Sequence, residues 1–257
     1  MKILVLGAGN MGAWFIETLC LDHEVAVFDT NPERMKYLFR TRRIEDLDYV
    51  REFAPDMLIN AVSLQHTLHA FEKVLPYVPE TCIISDITSV KNGLPMYYES
   101  LKHRFVSTHP MFGPTFANVR ELSNQSAIII KESDPEGKNF FWEFYSKLGL
   151  NIYEYSFDEH DRTIAYSLSI PFASTLVFAA CMKKQEAPGT TFQKHLAIAK
   201  GLMSENDYLL SEILFNPYTL PQVEQIKEKL TYLIDVIKNR QTDNLHEFFG
   251  ELRQNII

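Results

Sequence analysis

Gly7-Ala8-Gly9-Asn10-Met11-Gly12 stands between an apolar run over 2–6 (KILVL) and a stretch of helical periodicity over 13–21. An unbroken apolar run of that length reads as a parallel strand buried on both faces. Gly7 allows a tight turn, Gly9 lets the backbone approach a pyrophosphate, and Gly12 lets the helix pack close to the strand. The helix then meets the phosphates with its free N–H groups and the positive end of its dipole. A second strand over 24–28 (EVAVF) ends at Asp29, about 20 residues beyond the loop, where a dinucleotide-binding βαβ unit keeps an acid for the ribose. A carboxylate there accepts from the ribose 2′-OH and repels a 2′-phosphate. The predicted cofactor is therefore NAD, held by Gly7, Gly9, Asn10, Met11, Gly12 and Asp29. Arg34, five residues on, reads as a solvated helix residue; reaching back to Asp29, it would allow some use of NADP.

The alternation of strand and helix continues. Strands are predicted over 57–62, 82–86, 105–107, 127–131 and 152–155, with a helix starting at Asn31-Pro32-Glu33 and others over 67–75 and 135–148. Phe141, Trp142 and Tyr145 are expected on the packed face of the last of these. Ser63 follows the C-terminal end of its strand, where open α/β sheets bind ligands, and is read as a further cofactor contact. His66 and His69 lie one turn apart on an exposed helix with no third ligand in view, so no metal is predicted. Past Asp158 the strand pattern stops. Helices are expected over 161–182, kinked or broken by Pro171, then over 192–214, 222–238 and 243–255, with a loop around Asn216-Pro217 and Pro221. The fold predicted is α/β: a doubly wound Rossmann-type sheet over 1–155, followed by an all-α domain over 156–257. The stripe Ile226, Leu230, Leu233, Ile234 and Ile237 leads us to expect a homodimer formed through the helices.

Charge narrows the partners. The chain of 257 residues carries a formal net charge of −8, whereas nucleic acid and anionic membranes select a basic face. Neither is expected as a partner, although a local cationic pocket for a small anion remains possible on such a surface. No stretch reaches the roughly 18 uninterrupted apolar residues of a membrane span. Cys20, Cys82 and Cys181 are far apart and odd in number, which suits reduced thiols in a cytoplasm.

Three polar clusters remain. Asp86, Ser89 and Lys91 follow one strand; Ser107, His109, Pro110 and Gly113 follow another; Asp158, His160 and Asp161 stand at the junction of the halves. A doubly wound sheet brings the first two to the nicotinamide end of its cleft. Hydride transfer from an alcohol needs a base for the hydroxyl proton, and a histidine has the pKa for it. His109 is the candidate base. Pro110 and Gly113 fix the turn that aims it, and Ser89 is placed to bond the histidine or the substrate hydroxyl. Lys91 reads either as a solvated residue at a helix start or as a packing and electrostatic support beneath the loop. His160-Asp161 reads as a helix N-cap or as part of the far wall of the site.

In order and spacing, GAGNMG, Asp86-Ile-Thr-Ser89-Val-Lys91, Ser107-Thr-His109-Pro110-Met-Phe-Gly113-Pro114 and His160-Asp161 resemble the prephenate dehydrogenase family of tyrosine biosynthesis. The resemblance runs over nearly the whole chain and is strongest to about Pro171. It implies NAD-dependent oxidative decarboxylation of prephenate to 4-hydroxyphenylpyruvate, with the ring hydroxyl meeting His109 as base and Ser89 contacting the same region. Asp86, Lys91 and Asp161 are read as support for the site and His160 as a residue near substrate. Two departures stand out. Many members carry Ser-His-Leu-Pro-His where this chain has Leu168-Ser169-Ile170-Pro171-Phe172, and the family's carboxylate-binding arginine on the next helix is missing. Arg162, Lys194, Lys200 or a partner's residue is left to hold the substrate carboxylates, a lysine less directionally than a bidentate arginine. Arogenate is the alternative substrate, and another two-domain dehydrogenase of the β-hydroxyacid type the alternative enzyme. The chain leaves no stretch for a fused mutase or a regulatory domain after the helices, so feedback by tyrosine is expected at the active site or the dimer interface.

Overall fold

A computed structural model describes residues 1–112 and 122–256. They divide into two compact units, Met1–Asp161 and Arg162–Ile257. The sequence placed the division near Tyr155.

The first unit is built on one sheet of eight strands: β1 (Lys2–Leu6), β2 (Glu24–Phe28), β3 (Arg42–Ile44), β4 (Met57–Asn60), β5 (Ile83–Asp86), β6 (Phe105–Pro110), β7 (Ser126–Ile130) and β8 (Asn151–Tyr155). Their order is β3-β2-β1-β4-β5-β6-β7-β8. Every pairing is parallel except β6 with β7. Chain order reverses at β1, so ligands belong beside the C-terminal ends of β1 and β4.

Residues alternate strictly between two cores because side chains on a strand point to opposite faces. Ile3, Val5, Val25 and Val27 pack on Phe15, Ile16 and Leu19 of α1 (Asn10–Leu19) and on Phe141, Phe144 and Tyr145. Leu4, Leu6 and Ala26 face the opposite way. They pack with Val50 and Phe53 of α2 (Asp48–Phe53), Phe71 and Val74 of α3 (Thr67–Val74), and Leu94 and Tyr98 of α4 (Leu94–Glu99). Truncating Phe15 or Phe71 to alanine would cost about 3–5 kcal/mol at such sites. Phe141, Phe144 and Tyr145 belong to α5 (Pro135–Lys147), capped by the Asp134 carboxylate on the N–H groups of Glu136 and Gly137. Trp142 lies off that face, 46% exposed, because one residue is about 100° of helix rotation from Phe141; Phe144 takes the core position expected for it.

In the second unit the helices are α7 (Ile170–Cys181), α8 (Thr190–Leu202), α9 (Asp207–Leu214), α10 (Thr219–Lys238) and α11 (Thr242–Asn255). Before α7, α6 (Phe157–Ile164) carries the division between units, and a π-helical turn, Ala165–Ser169, joins the two helices. Pro171 does not break the run. A π-helical turn stands immediately before α7, so the i→i−4 ladder is already interrupted where Pro171, in the first turn of α7, lacks its N–H. Pro221 lies in the first turn of α10, where its missing N–H has no helical partner to lose. The predicted 192–214 helix is two helices: Asn206 caps the second by accepting from Tyr208 N–H. The run Phe157–Cys181 is long and apolar enough, by length and composition alone, to cross a membrane. An uninterrupted apolar count misses it because Tyr166, Ser167, Ser169, Ser174 and Thr175 interrupt its otherwise apolar, uncharged part over 164–181. Within its unit, α7 packs against α8 and α10.

Candidate active site

Register lines up the C-terminal edge of the sheet. Phe28 pairs with Leu6, Leu6 with Asn60, Asn60 with Asp86, and Asp86 with Ser107. Asp29, the glycine loop, Ser63, Ser89 and His109 all follow those residues by a few positions, so one edge carries them. From β2 to β6 there are four interstrand steps, about 19 Å at roughly 4.8 Å each.

The glycine loop has the geometry its sequence predicts. Gly7 takes φ +90, which an L side chain resists. A Cβ on Gly12 would collide with the Gly7 carbonyl oxygen, whereas nothing lies within 4 Å of where a Cβ on Gly9 would stand. That open ground lies at the N-terminus of α1, which begins at Asn10. A pyrophosphate fits there, against backbone N–H groups without a side chain in the way. Met11 is partly buried against the first core.

Asp29 is nearly buried. Its Oδ2 accepts from Ala8 N–H and its Oδ1 from Asn31 N–H, both at 2.7 Å. The acid thus fixes the glycine loop. Arg34 does reach back: its Nη1 stands 3.9 Å from Asp29 Oδ2, with 60% of its side chain exposed. It belongs to a single 3-10 turn, Pro32–Met35, rather than to the helix expected there.

Beneath the next two strand ends lies a buried polar knot. Lys91 and Asp86 are both fully buried, with Nζ 2.6 Å from Oδ1. Lys91 also donates to the Thr108 carbonyl at 2.8 Å. Asp86 Oδ1 accepts from the Thr88 hydroxyl at 2.8 Å, and Oδ2 from the Tyr98 hydroxyl at 2.7 Å. Burial pushes the Asp86 carboxyl up, but the Lys91 charge and the hydrogen bonds from Lys91 and Tyr98 outweigh it and hold it below its ordinary value. The Asp86–Lys91 pair thereby pins the peptide that leads into His109. Tyr98 and Thr88 were not singled out from the sequence; Tyr98 comes from a helix that periodicity did not reveal.

His109 lies inside β6, paired with Ile128 of β7, so it is set on a strand rather than on a mobile loop. Pro110 closes that strand, where it pairs with Ala127. His109 is 6% exposed. Its Nδ1 is 3.0 Å from His160 Nε2, and His160 Nδ1 is 2.9 Å from Asp161 Oδ1. Burial drives the His109 imidazole well below its usual value, with His160 and Lys91 acting in the same direction. Burial also lowers His160, against the pull of Asp161. Both rings are neutral near pH 7. His109 Nε2 makes no hydrogen bond among the described residues. Ser89 is half-buried and its hydroxyl is likewise uncommitted among them. Ser63 caps a short turn after β4 without a side-chain bond. Gly113 lies outside the described residues.

In the second unit, the Arg162 guanidinium stacks on Tyr218 at 4.7 Å from the ring centroid. Lys194 and Lys200 are both exposed on α8; six positions at about 100° each put them about 120° apart around the helix. Ser169 is buried and bonds the Thr219 hydroxyl at 2.7 Å, which ties the π turn to α10. No group of three or more His, Cys, Asp or Glu side chains able to hold a metal occurs among the described residues.

Residues 13–140 match the family model of the prephenate dehydrogenase nucleotide-binding domain. A probable arogenate/prephenate dehydrogenase of Methanocaldococcus jannaschii is 24% identical over 96% of this chain and 59% of its own length. The T-protein of Haemophilus influenzae is 23% identical over 77% of this chain and 54% of its own length. This chain therefore spans between half and three-fifths of these curated relatives. Among solved structures, prephenate dehydrogenase from Aquifex aeolicus, crystallised with hydroxyphenyl propionate and NAD+, superposes with a TM-score of 0.84 at 18% identity, covering 98% of this chain and 96% of that one. Arogenate dehydrogenase from Synechocystis superposes at 0.78 and 20% identity, covering 99% and 98%. These two likenesses establish a shared fold.

Proposed function

We infer the activity of this chain from the premise that its nucleotide-binding unit belongs to the prephenate dehydrogenase family. It is an NAD-dependent dehydrogenase that oxidises and decarboxylates a cyclohexadienol acid, prephenate or its amino counterpart arogenate. The observation that carries this reading is His109: a neutral imidazole on a rigid strand, its Nε2 uncommitted among the described residues, on the sheet edge that also bears the glycine loop.

Gly7, Gly9, Asn10, Met11 and Gly12 form the phosphate cradle, with Asp29 at the ribose and Ser63 beside the cofactor. When bound, NAD supplies the hydride acceptor. His109 Nε2 accepts the proton of the ring hydroxyl as its carbon gives up hydride. The ring carboxylate then leaves as CO2, and the electron pair of the broken C–C bond completes the aromatic ring. Ser89 directs the hydroxyl toward His109. Arg162, Lys194 and Lys200 are the candidates to meet the substrate carboxylates, and the exposed pair on α8 would hold them as point charges.

A homodimer through the helical unit accompanies this activity. α7 is apolar along its length yet has no buried residue, and Leu220, Ile234 and Ile237 of α10 are 65%, 44% and 62% exposed. A second copy of the same surface would cover them. The acidic surface and three free cysteines suit the cytoplasm, without nucleic acid or membrane as partner. Incubation with NAD and either prephenate or arogenate, followed at the absorbance of NADH, tests the activity: turnover with one or both supports it, and none with either refutes it.

A further inference from the structure

We propose that His160 and Asp161 are positioning residues that set the tautomer of His109, leaving its Nε2 as the basic nitrogen. The inference deepens the proposed function and rests on it for its kinetic consequence.

An ionised carboxylate has no hydrogen to give, so Asp161 Oδ1 accepts and His160 Nδ1 donates across their 2.9 Å contact. A neutral imidazole carries one N–H. His160 Nε2 is then a bare lone pair, and the 3.0 Å contact to His109 Nδ1 is a bond only if His109 donates. The hydrogen on His109 is thereby fixed on Nδ1. Its Nε2 is left with a lone pair, and no neighbour among the described residues consumes it. Each link is forced by the one before it, and the chain begins at a single charge.

Burial makes the choice firm. His160 is fully buried and His109 nearly so. Reversing both hydrogens would set a ring nitrogen of the fully buried His160 without a hydrogen against the Asp161 carboxylate, an acceptor facing an acceptor. His160 also has both ring nitrogens engaged within the chain, so it is not free to bind a substrate through them. When His109 accepts a proton at Nε2, the new positive charge faces a neutral ring backed by a carboxylate. Orientation by an acid through an intermediate hydrogen bond is how a histidine base is held in its productive form.

The test is 15N spectroscopy of the histidine-labelled full chain at pH 7.5, with the His109 signals assigned by their loss in His109→Asn. The wild type is expected to show a protonated Nδ1 and a bare Nε2 at His109. His160→Phe keeps a planar ring but removes the acceptor, and Asp161→Ala removes the start of the chain. Each should collapse that preference and lower kcat, on the order of a hundred- to ten-thousand-fold, while the Kd for NAD stays within about threefold. A bare Nδ1 in the wild type, or an unchanged tautomer in both variants, overturns the proposal. The spectrum needs no substrate. A protein with the expected tautomer but no turnover on prephenate or arogenate would refute the proposed activity and leave this assignment standing.

Discussion

His109 Nδ1 stands 3.0 Å from His160 Nε2, although 51 positions separate the two residues. β6 delivers one ring and α6 the other, and Asp161 grips the second at 2.9 Å. On the proposed assignment, a base held this way would already be in the form that accepts a proton.

The first consequence is a one-sided pH dependence. His109 must be neutral to act, and its folded pKa lies well below the 6.5 of a free imidazole through burial and the neighbouring His160 and Lys91; the acids Asp161 and Asp86 face the same pair. kcat/KM should therefore hold from pH 7 down past 6.5 and fall only on further acidification. Stability follows the same sign. A depressed folded pKa means that the unfolded chain binds more protons, so stability is full above 6.5 and drains as pH falls toward the folded value. A pH profile of kcat/KM, set beside thermal melts from pH 8 to 5, measures both. A midpoint at or above 6.5 would contradict this.

The buried ion pair should be costly to break from one side. Lys91→Met leaves Asp86 charged and buried without its cation, a loss of about 3–5 kcal/mol. Tyr98 and Thr88 would still donate to the carboxylate, which places the expected cost toward the lower value. The double variant Asp86→Leu/Lys91→Met should lose less than the sum of the singles, because neither charge is stranded. Urea unfolding measures all three. kcat should fall as well, since Lys91 also holds the Thr108 carbonyl just before His109.

Cofactor choice should turn on Asp29 and Arg34. NAD is expected to be preferred, with weak use of NADP supported by Arg34, which lies 3.9 Å from the acid. Arg34→Ala should lower kcat/KM for NADP on the order of tenfold, about 1.4 kcal/mol, and change NAD little. Asp29→Asn should move the ratio the other way, though with weaker binding of both cofactors if the Ala8 N–H loses strength in its bond. Steady-state kinetics with both cofactors reads this out. Gly12→Ala should abolish binding of either, because its Cβ would enter the Gly7 carbonyl.

Charge on the bare face of α10 should dissociate the dimer. Ile237→Glu and Leu220→Glu alter side chains that are 62% and 65% exposed in one copy, so each subunit should still fold. Sedimentation velocity should report a dimer for the wild type and monomer for the double variant. A wild-type monomer would contradict the dimer.

The first unit was legible wherever a strand is buried on both faces. β1, β2 and β4 are largely apolar runs, β5 is apolar up to Ser85-Asp86, and the strand–glycine–helix context left little freedom around Gly7 to Gly12. β3 and α2 escaped because three residues with two exposed arginines, and a six-residue helix, carry too little periodicity. β6 is predicted from the sequence pattern to end at Ser107. It runs to Pro110 because β7 pairs antiparallel with its second half, a tertiary contact that leaves no local mark. Proline is tolerated there at the strand's end. The partners of His109 were named individually, but not as a chain, since only the return of α6 to the sheet brings residue 160 to residue 109. Tyr98 gave no signal at all: an aromatic on a short helix reads as core, and here it is also a donor to a buried acid.

The central claim is that His109 is the base for oxidation of the ring hydroxyl. The most direct measurement compares wild type and His109→Asn in NADH formation with prephenate and with arogenate, alongside the Kd for NAD. The expected result is a loss in kcat on the order of 10² to 10⁴-fold with NAD affinity within about threefold of wild type. Turnover by His109→Asn at the wild-type rate, on a substrate the wild type oxidises, would contradict it.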